Sequence, residues 1–166
     1  MRNIFLIIFS IFVVNCFGYS VSNKGKEFIK ENEKCVLTAY WDSNGYSIGY
    51  GHHGSDVRKG MKISKTQANK YFNNDIATVN AAINRLIDNL PIKHKFSQGF
   101  IDGLGDLIYN CGEGGVKTSE FYKRLMRCRK NNKNDLLFCV AAVKTLRVSC
   151  PGHKTRRYNT HKLMLN

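Results

Sequence analysis

No internal repeat, no low-complexity tract and no Cys-x-x-Cys pair occurs in these 166 residues. The first two absences leave one domain or a small two-lobed unit, long enough to bury a core without metals or cross-links. The third argues against a zinc ribbon or a redox dithiol. Acidic residues are scarce: 12 Asp and Glu stand against 26 Lys and Arg, a net charge of +14. Such a surface is drawn to polyanions by long-range, salt-sensitive attraction. Nucleic acid, anionic lipid and bacterial wall polymers all qualify, and no recognisable nucleic-acid motif accompanies the charge.

A long hydrophobic run is missing as well. The apolar stretch from Ile4 to Val14 follows Arg2 and ends at Asn15, too short to cross a bilayer comfortably. It reads as a signal peptide over residues 1–18, with small residues at Gly18 and Ser20 for cleavage, followed by one mature domain over 19–166. A retained anchor and, through Cys16, a lipoprotein are the alternatives. Export to the periplasm or the exterior removes nucleic acid as a partner. It leaves a wall or membrane surface, touched transiently by a chain expected to be a monomer.

Export would also carry Cys35, Cys111, Cys128, Cys139 and Cys150 into an oxidising compartment, where thiols pair. Their number is odd, so at most two bridges form and one thiol stays free. Sequence alone does not choose the pairing. Cys128 with Cys150 is the expectation, since it would tie the last segment to a preceding helix; the alternative is that all five are reduced and buried.

Along the mature chain, Ser22 is placed to cap a helix through Lys34 with an apolar stripe at Phe28 and Ile29. Leu37 to Trp41 and Tyr46 to Tyr50 read as strands joined at Ser43-Asn44-Gly45, a turn whose residues accept positive φ. Ser64-Lys65-Thr66-Gln67 is a capping box. The long helix it opens carries Ala68, Tyr71, Phe72, Asp75, Ile76, Val79, Ala82, Ile83 and Leu86 at helical spacing, a face wide enough to pack on both halves of the molecule. Pro91 closes it. Ser97 starts a helix with Phe100, Leu104, Leu107, Ile108 and Cys111 on one face, which Gly112, Gly114 and Gly115 are expected to end. Ser119 caps residues 121–128, an Asn-Lys linker follows, Asp135 opens a short helix through Val143, and Pro151-Gly152 precedes a basic tail. A hairpin region followed by helices alone makes the fold α+β with segregated parts.

Two carboxylates stand out. Glu33, where a helix meets a sheet, can be desolvated and held protonated, whereas Asp42 in a polar turn stays ionised. Such a pair is what hydrolysis of a glycosidic bond requires: one acid for the leaving oxygen, one carboxylate for water or for positive charge on the sugar. Ser47, on the returning strand, could hold the water. The bland alternative for both acids is a solvated helix end and a turn. Gly51 and Asn110 are candidate sugar contacts, or else a conformational glycine and a helix cap. His52 reads as a hydrogen-bonded histidine more than a metal ligand, and no metal or cofactor is expected. Tyr40, Trp41, Tyr46 and Tyr50 could stack on sugars, but alternate strand residues must fill the core. Arg156 and Arg157, with Lys144, Arg147 and Lys154, read as a wet face or a grip on wall carboxylates.

The run from Glu33 to His52, with Tyr40, Asp42 and Ser47-Ile48-Gly49-Tyr50-Gly51-His52, resembles the signature of the phage-type lysozymes of glycoside hydrolase family 24. Further segments match in order: Ile63 to Ala68, Gln98 to Leu104, Tyr109 to Gly112, and Gly152 to Arg157. The resemblance covers nearly the whole mature chain. It implies two lobes, a small β-hairpin lobe and a larger helical one, joined by a long helix. It further implies a muramidase acting on the β-1,4 bond between N-acetylmuramic acid and N-acetylglucosamine of peptidoglycan, with Glu33 as acid, Asp42 opposite and Ser47 where the family has threonine. The family's inverting outcome implies carboxyl groups roughly 6.5–9.5 Å apart. A chitinase or a transglycosylase could use a similar acid, and a non-catalytic cationic wall-binding or membrane-active protein could use the same scaffold. Departures are Lys34 in place of the glycine after the acid, Cys35, and serine at 47, which lacks the methyl that restricts a threonine rotamer.

Overall fold

The computed structural model describes residues 18–42, 44–91, 95–128, 133–145 and 153–166. Residues 1–17 of the proposed leader, Ser43 of the hairpin turn, Arg147, Cys150 and Pro151-Gly152 therefore lie outside the described residues.

The chain opens with α1 (Asn23–Glu33), then β1 (Val36–Asp42), β2 (Gly45–Gly49) and β3 (His52–His53). Five helices follow: α2 (Lys65–Asp88), α3 (Gln98–Thr118), α4 (Glu120–Arg127), α5 (Lys133–Ala141) and α6 (His153–Leu165), with a 3-10 turn at Ala142–Thr145. The sheet is antiparallel in the order β1-β2-β3. Its β1–β2 register slips between Val36 and Tyr40, so Tyr40 faces Ser47 and Asp42 faces Gly45. The other edge of β1 is covered by the segment entering α2, through Ala39 N–H to Met61 O at 2.8 Å and Ile63 N–H to Leu37 O at 3.0 Å. This is the expected α+β arrangement.

Local chemistry sets the helix starts. Ser22, Ser64, Ser97 and Ser119 each accept a backbone N–H from the first turn that follows, each such cap contributing about 1 kcal/mol. At Ser64 the reciprocal bond from its own N–H to Gln67 Oε1, 2.9 Å, completes the capping box. The predicted face of α2 is the buried one: Ala68, Phe72, Ile76, Val79, Ala82, Ile83 and Leu86 are all at most 5 % exposed. It packs on β2 and β3 as well as on α3, which makes α2 the link between the lobes. Each large apolar side chain so buried contributes about 2 kcal/mol.

Two expectations are corrected. Gly112 kinks α3 instead of ending it: its φ of 70° breaks the helix for one residue, and helical turns resume to Thr118. The basic tail is a helix, α6, packed along α3. The contact is close enough that a Cβ on Gly103 would collide with the Met164 side chain, which would have to move. Hydropathy does not reveal α6, because its buried positions include Arg156, Arg157, Thr160 and His161. Among the described residues no helix is long and apolar enough to cross a membrane.

Candidate active site

Glu33 is the last residue of α1, and both ends of that helix are held by α3. At the start, buried Asp102 accepts the Ser22 N–H at 2.7 Å and the Ser22 hydroxyl at 2.6 Å. At the end, Arg156 of α6 donates from Nη1 to Glu33 Oε1 at 2.6 Å and from Nη2 to Asp106 Oδ1 at 2.7 Å. Asp106 is fully buried and also accepts the Thr160 hydroxyl at 2.6 Å. The guanidinium thus bridges two carboxylates, one buried and one at the surface of the site.

The Glu33 side chain is 18 % exposed. Burial raises its pKa above the usual carboxylate range, and it does so against the opposing pull of Arg156. With Oε1 held by Arg156, Oε2 is the oxygen left toward the site. That atom points toward Gly51, where a Cβ would stand 3.4 Å away. Gly51 has φ 86°, so its lack of a side chain serves both the turn and the space beside the acid.

Asp42 ends β1 and is exposed. Its carboxylate and that of Glu33 both raise the pKa of Tyr40, after burial, the largest cause. Tyr40 therefore stands within the field of both acids, and its hydroxyl also shares a hydrogen bond with Ser47. Ser47 itself is 1 % exposed, with Oγ 3.3 Å from His53 Nδ1. The Ser47 hydroxyl is thus buried and meets the site through Tyr40.

On the opposite side, Tyr109 of α3 donates to the Tyr50 carbonyl at 2.8 Å, tying the helical lobe to the turn before Gly51. Burial, then the charges of Asp75 and Glu33, pushes its hydroxyl well above the ordinary range, so it remains a donor. A cleft of about 430 Å³ opens from Gly51 and His53, past Asp75 and Tyr109, to Arg85 and Glu113. Its far end is crossed by the Arg85–Glu113 ion pair at 2.7 Å. His52 is held by Asp75 at 2.9 Å and Asp56 at 3.3 Å and stacks on Tyr71 at 4.2 Å. The expectation of a hydrogen-bonded His52 matches this arrangement.

Asn110 does not line this cleft, and its Oδ1 accepts Arg157 Nη2 at 2.5 Å. Arg156 and Arg157, 6 % and 1 % exposed, are neither a wet face nor a grip on wall carboxylates; Lys144 and Lys154 are exposed. Of the aromatic residues, Tyr50 is buried against Phe72 while the neighbours Tyr40 and Trp41 are both exposed, so burial does not alternate along β1 as expected. Sequence reasoning missed the Arg156–Asp106 support. The signal was present as Asp102 and Asp106 four apart on an otherwise apolar helix face, acids that must meet a cation or donors once buried.

A family model of phage lysozyme matches residues 30–159, which includes Glu33, Asp42, Ser47, Gly51, Asn110 and Arg156. The chain belongs to the phage lysozyme family. It is 38 % identical over 96 residues to an endolysin of Lactococcus phage c2, covering 55 % of this chain and 39 % of that one. An endolysin of Acyrthosiphon pisum secondary endosymbiont phage 1 is 34 % identical over 107 residues, 63 % of this chain and 68 % of the relative. The chain spans about two fifths of the length of the Lactococcus and Bacillus phage endolysins it matches. Among solved structures, the endolysin of Escherichia coli O157:H7 phage FAHEc1 superposes with a TM-score of 0.71 at 30 % identity, covering 89 % of this chain and 94 % of that one. The muramidase domain of SpmX from Asticaccaulis excentricus shares the lysozyme fold, with a TM-score of 0.74 at 20 % identity over 89 % of this chain and 99 % of that domain.

Proposed function

We propose that this phage lysozyme family member is an exported peptidoglycan hydrolase that cleaves the β-1,4 bond between N-acetylmuramic acid and N-acetylglucosamine. The observation that carries the reading is the environment of Glu33: a desolvated carboxyl whose pKa burial raises, with one oxygen fixed by Arg156 and the other turned toward Gly51. A raised pKa favours the protonated form that a general acid needs.

In the step we envisage, Glu33 Oε2 gives its proton to the leaving glycosidic oxygen while Asp42 takes a proton from the water attacking the opposite face of the sugar, so configuration inverts. Ser47 acts behind that water through the Tyr40 hydroxyl. Gly51 gives the sugar chain close access to Glu33, and Asn110, fixed by Arg157, presents its amide N–H to the substrate. Two carboxylates and a water balance the reaction, so no cofactor or metal is invoked. The leader at residues 1–18 delivers the chain to the wall, where it works as a monomer, and its positive surface holds it transiently on anionic polymers.

Glu33→Gln tests the assignment on purified sacculi. The variant keeps the shape and the Arg156 contact but has no proton to give; turbidity clearance should fall by about 10²–10⁴-fold with sacculus binding retained. Unchanged clearance would leave a cationic binder on the same scaffold. Mass spectrometry of the released ends separates reducing muramic acid, as proposed, from an anhydro product or a reducing N-acetylglucosamine.

A further inference from the structure

The seam between α4 and α5 carries two thiols that the proposed hydrolysis does not use. Cys128, the C-cap of α4, is 8 % exposed, and Cys139, in α5, is fully buried. Their sulfurs are 3.0 Å apart across 11 residues of sequence. Other contacts hold them in register: Arg124 donates to the Phe138 carbonyl at 3.3 Å, and its guanidinium lies 4.6 Å from the Phe138 ring. An adjustment of roughly 1 Å would take the sulfurs from contact to bonding distance.

We infer that Cys128 and Cys139 form a disulfide that fastens α4 to α5 whenever the chain meets a disulfide-class oxidant. The electrons balance through exchange. The Cys128 thiolate attacks one sulfur of the oxidant and releases a thiol. Cys139 then loses its proton, attacks the Cys128 sulfur of the mixed disulfide and expels the second thiol. Two cysteines are oxidised and one external disulfide is reduced to two thiols. Cys128 takes the first attack because it is the one with access, while burial and the neighbouring sulfur push the Cys139 thiol up to about 12. The bridge would brace the end of the molecule that supports the site, since α5 packs on α6, which carries Arg156. It replaces the Cys128–Cys150 pairing expected from the sequence.

The test needs no assumption about catalysis or export. The purified full-length chain is incubated with oxidised glutathione, alkylated without reduction and digested with trypsin, which cuts between the two cysteines at Arg129, Lys130 and Lys133. A Cys128 peptide joined to a Cys139 peptide is the expected product. The oxidised protein should unfold about 5–10 °C above the reduced one, a difference that Cys128→Ser abolishes. Alkylated Cys128 and Cys139 after oxidation, a bond from Cys128 to Cys150, or equal unfolding temperatures in the wild-type chain would each overturn the inference.

Discussion

Lys34 stands where the family resemblance implies a glycine, and its backbone shows φ 58° and ψ 170°, the one positive-φ residue other than glycine among those described. That region is essentially reserved for glycine, and a side chain held there costs about 1–3 kcal/mol. Lys34→Gly relieves the strain but gives the unfolded chain more freedom to lose, a cost of about 0.4–1 kcal/mol. The difference is a net stabilisation of about 0.5–2 kcal/mol, or a rise of about 2–6 °C in the unfolding temperature. In urea the midpoint should move up by about 0.3–1 M with unchanged slope. Lys34→Ala is the control, because it removes the exposed ammonium and keeps the Cβ responsible for the strain; it should stay within about 0.5 kcal/mol of the parent. If alanine and glycine shift the midpoint equally, the lysine head and not the backbone governs this position, and the reasoning fails. Lys34 follows Glu33 directly, so the activity of Lys34→Gly also reports whether the strained link helps to aim the acid.

Arg156→Gln removes the cation that opposes the burial-driven rise of the Glu33 pKa; Glu33 then keeps its proton to higher pH, and the alkaline limb of the clearance profile should move up. A downward or absent shift would contradict the geometry. The same change strands fully buried Asp106, at a cost of about 3–5 kcal/mol, which pairing it with Asp106→Asn should largely restore in urea unfolding. Gly51→Ala should cost about 1–3 kcal/mol through its positive φ and lower clearance further by crowding Glu33 Oε2, read as a larger loss of rate than of stability at matched fraction folded. Sacculus binding should weaken steeply from low to high salt, because a net +14 surface acts through screened attraction; salt-independent binding in a pelleting assay would refute that part.

Much of the frame was legible from local rules. Four serine caps, one of them a full capping box, and the apolar stripe of α2 depend on neighbours within a few residues, so the chain announces them directly. Glu33, Asp42 and Gly51 were visible for the same reason, being packed into one helix end, one strand end and one turn. Lys34 shows how a local departure becomes intelligible with coordinates: the sequence marks the missing glycine, and the backbone angle gives its physical meaning.

What the sequence could not decide was which charges leave water. Arg156 and Arg157 read as surface because arginine normally is, and α6 read as a tail because its inward face is polar. Only packing against α3 turns those positions inward; Arg156 then pairs with Glu33 and Asp106, while Arg157 donates to the neutral amide of Asn110. The same burial withdrew Ser47 into the sheet and set Cys128 against Cys139. Residues 123 positions apart, Glu33 and Arg156, meet in one ion pair, and no periodicity along the chain encodes that distance.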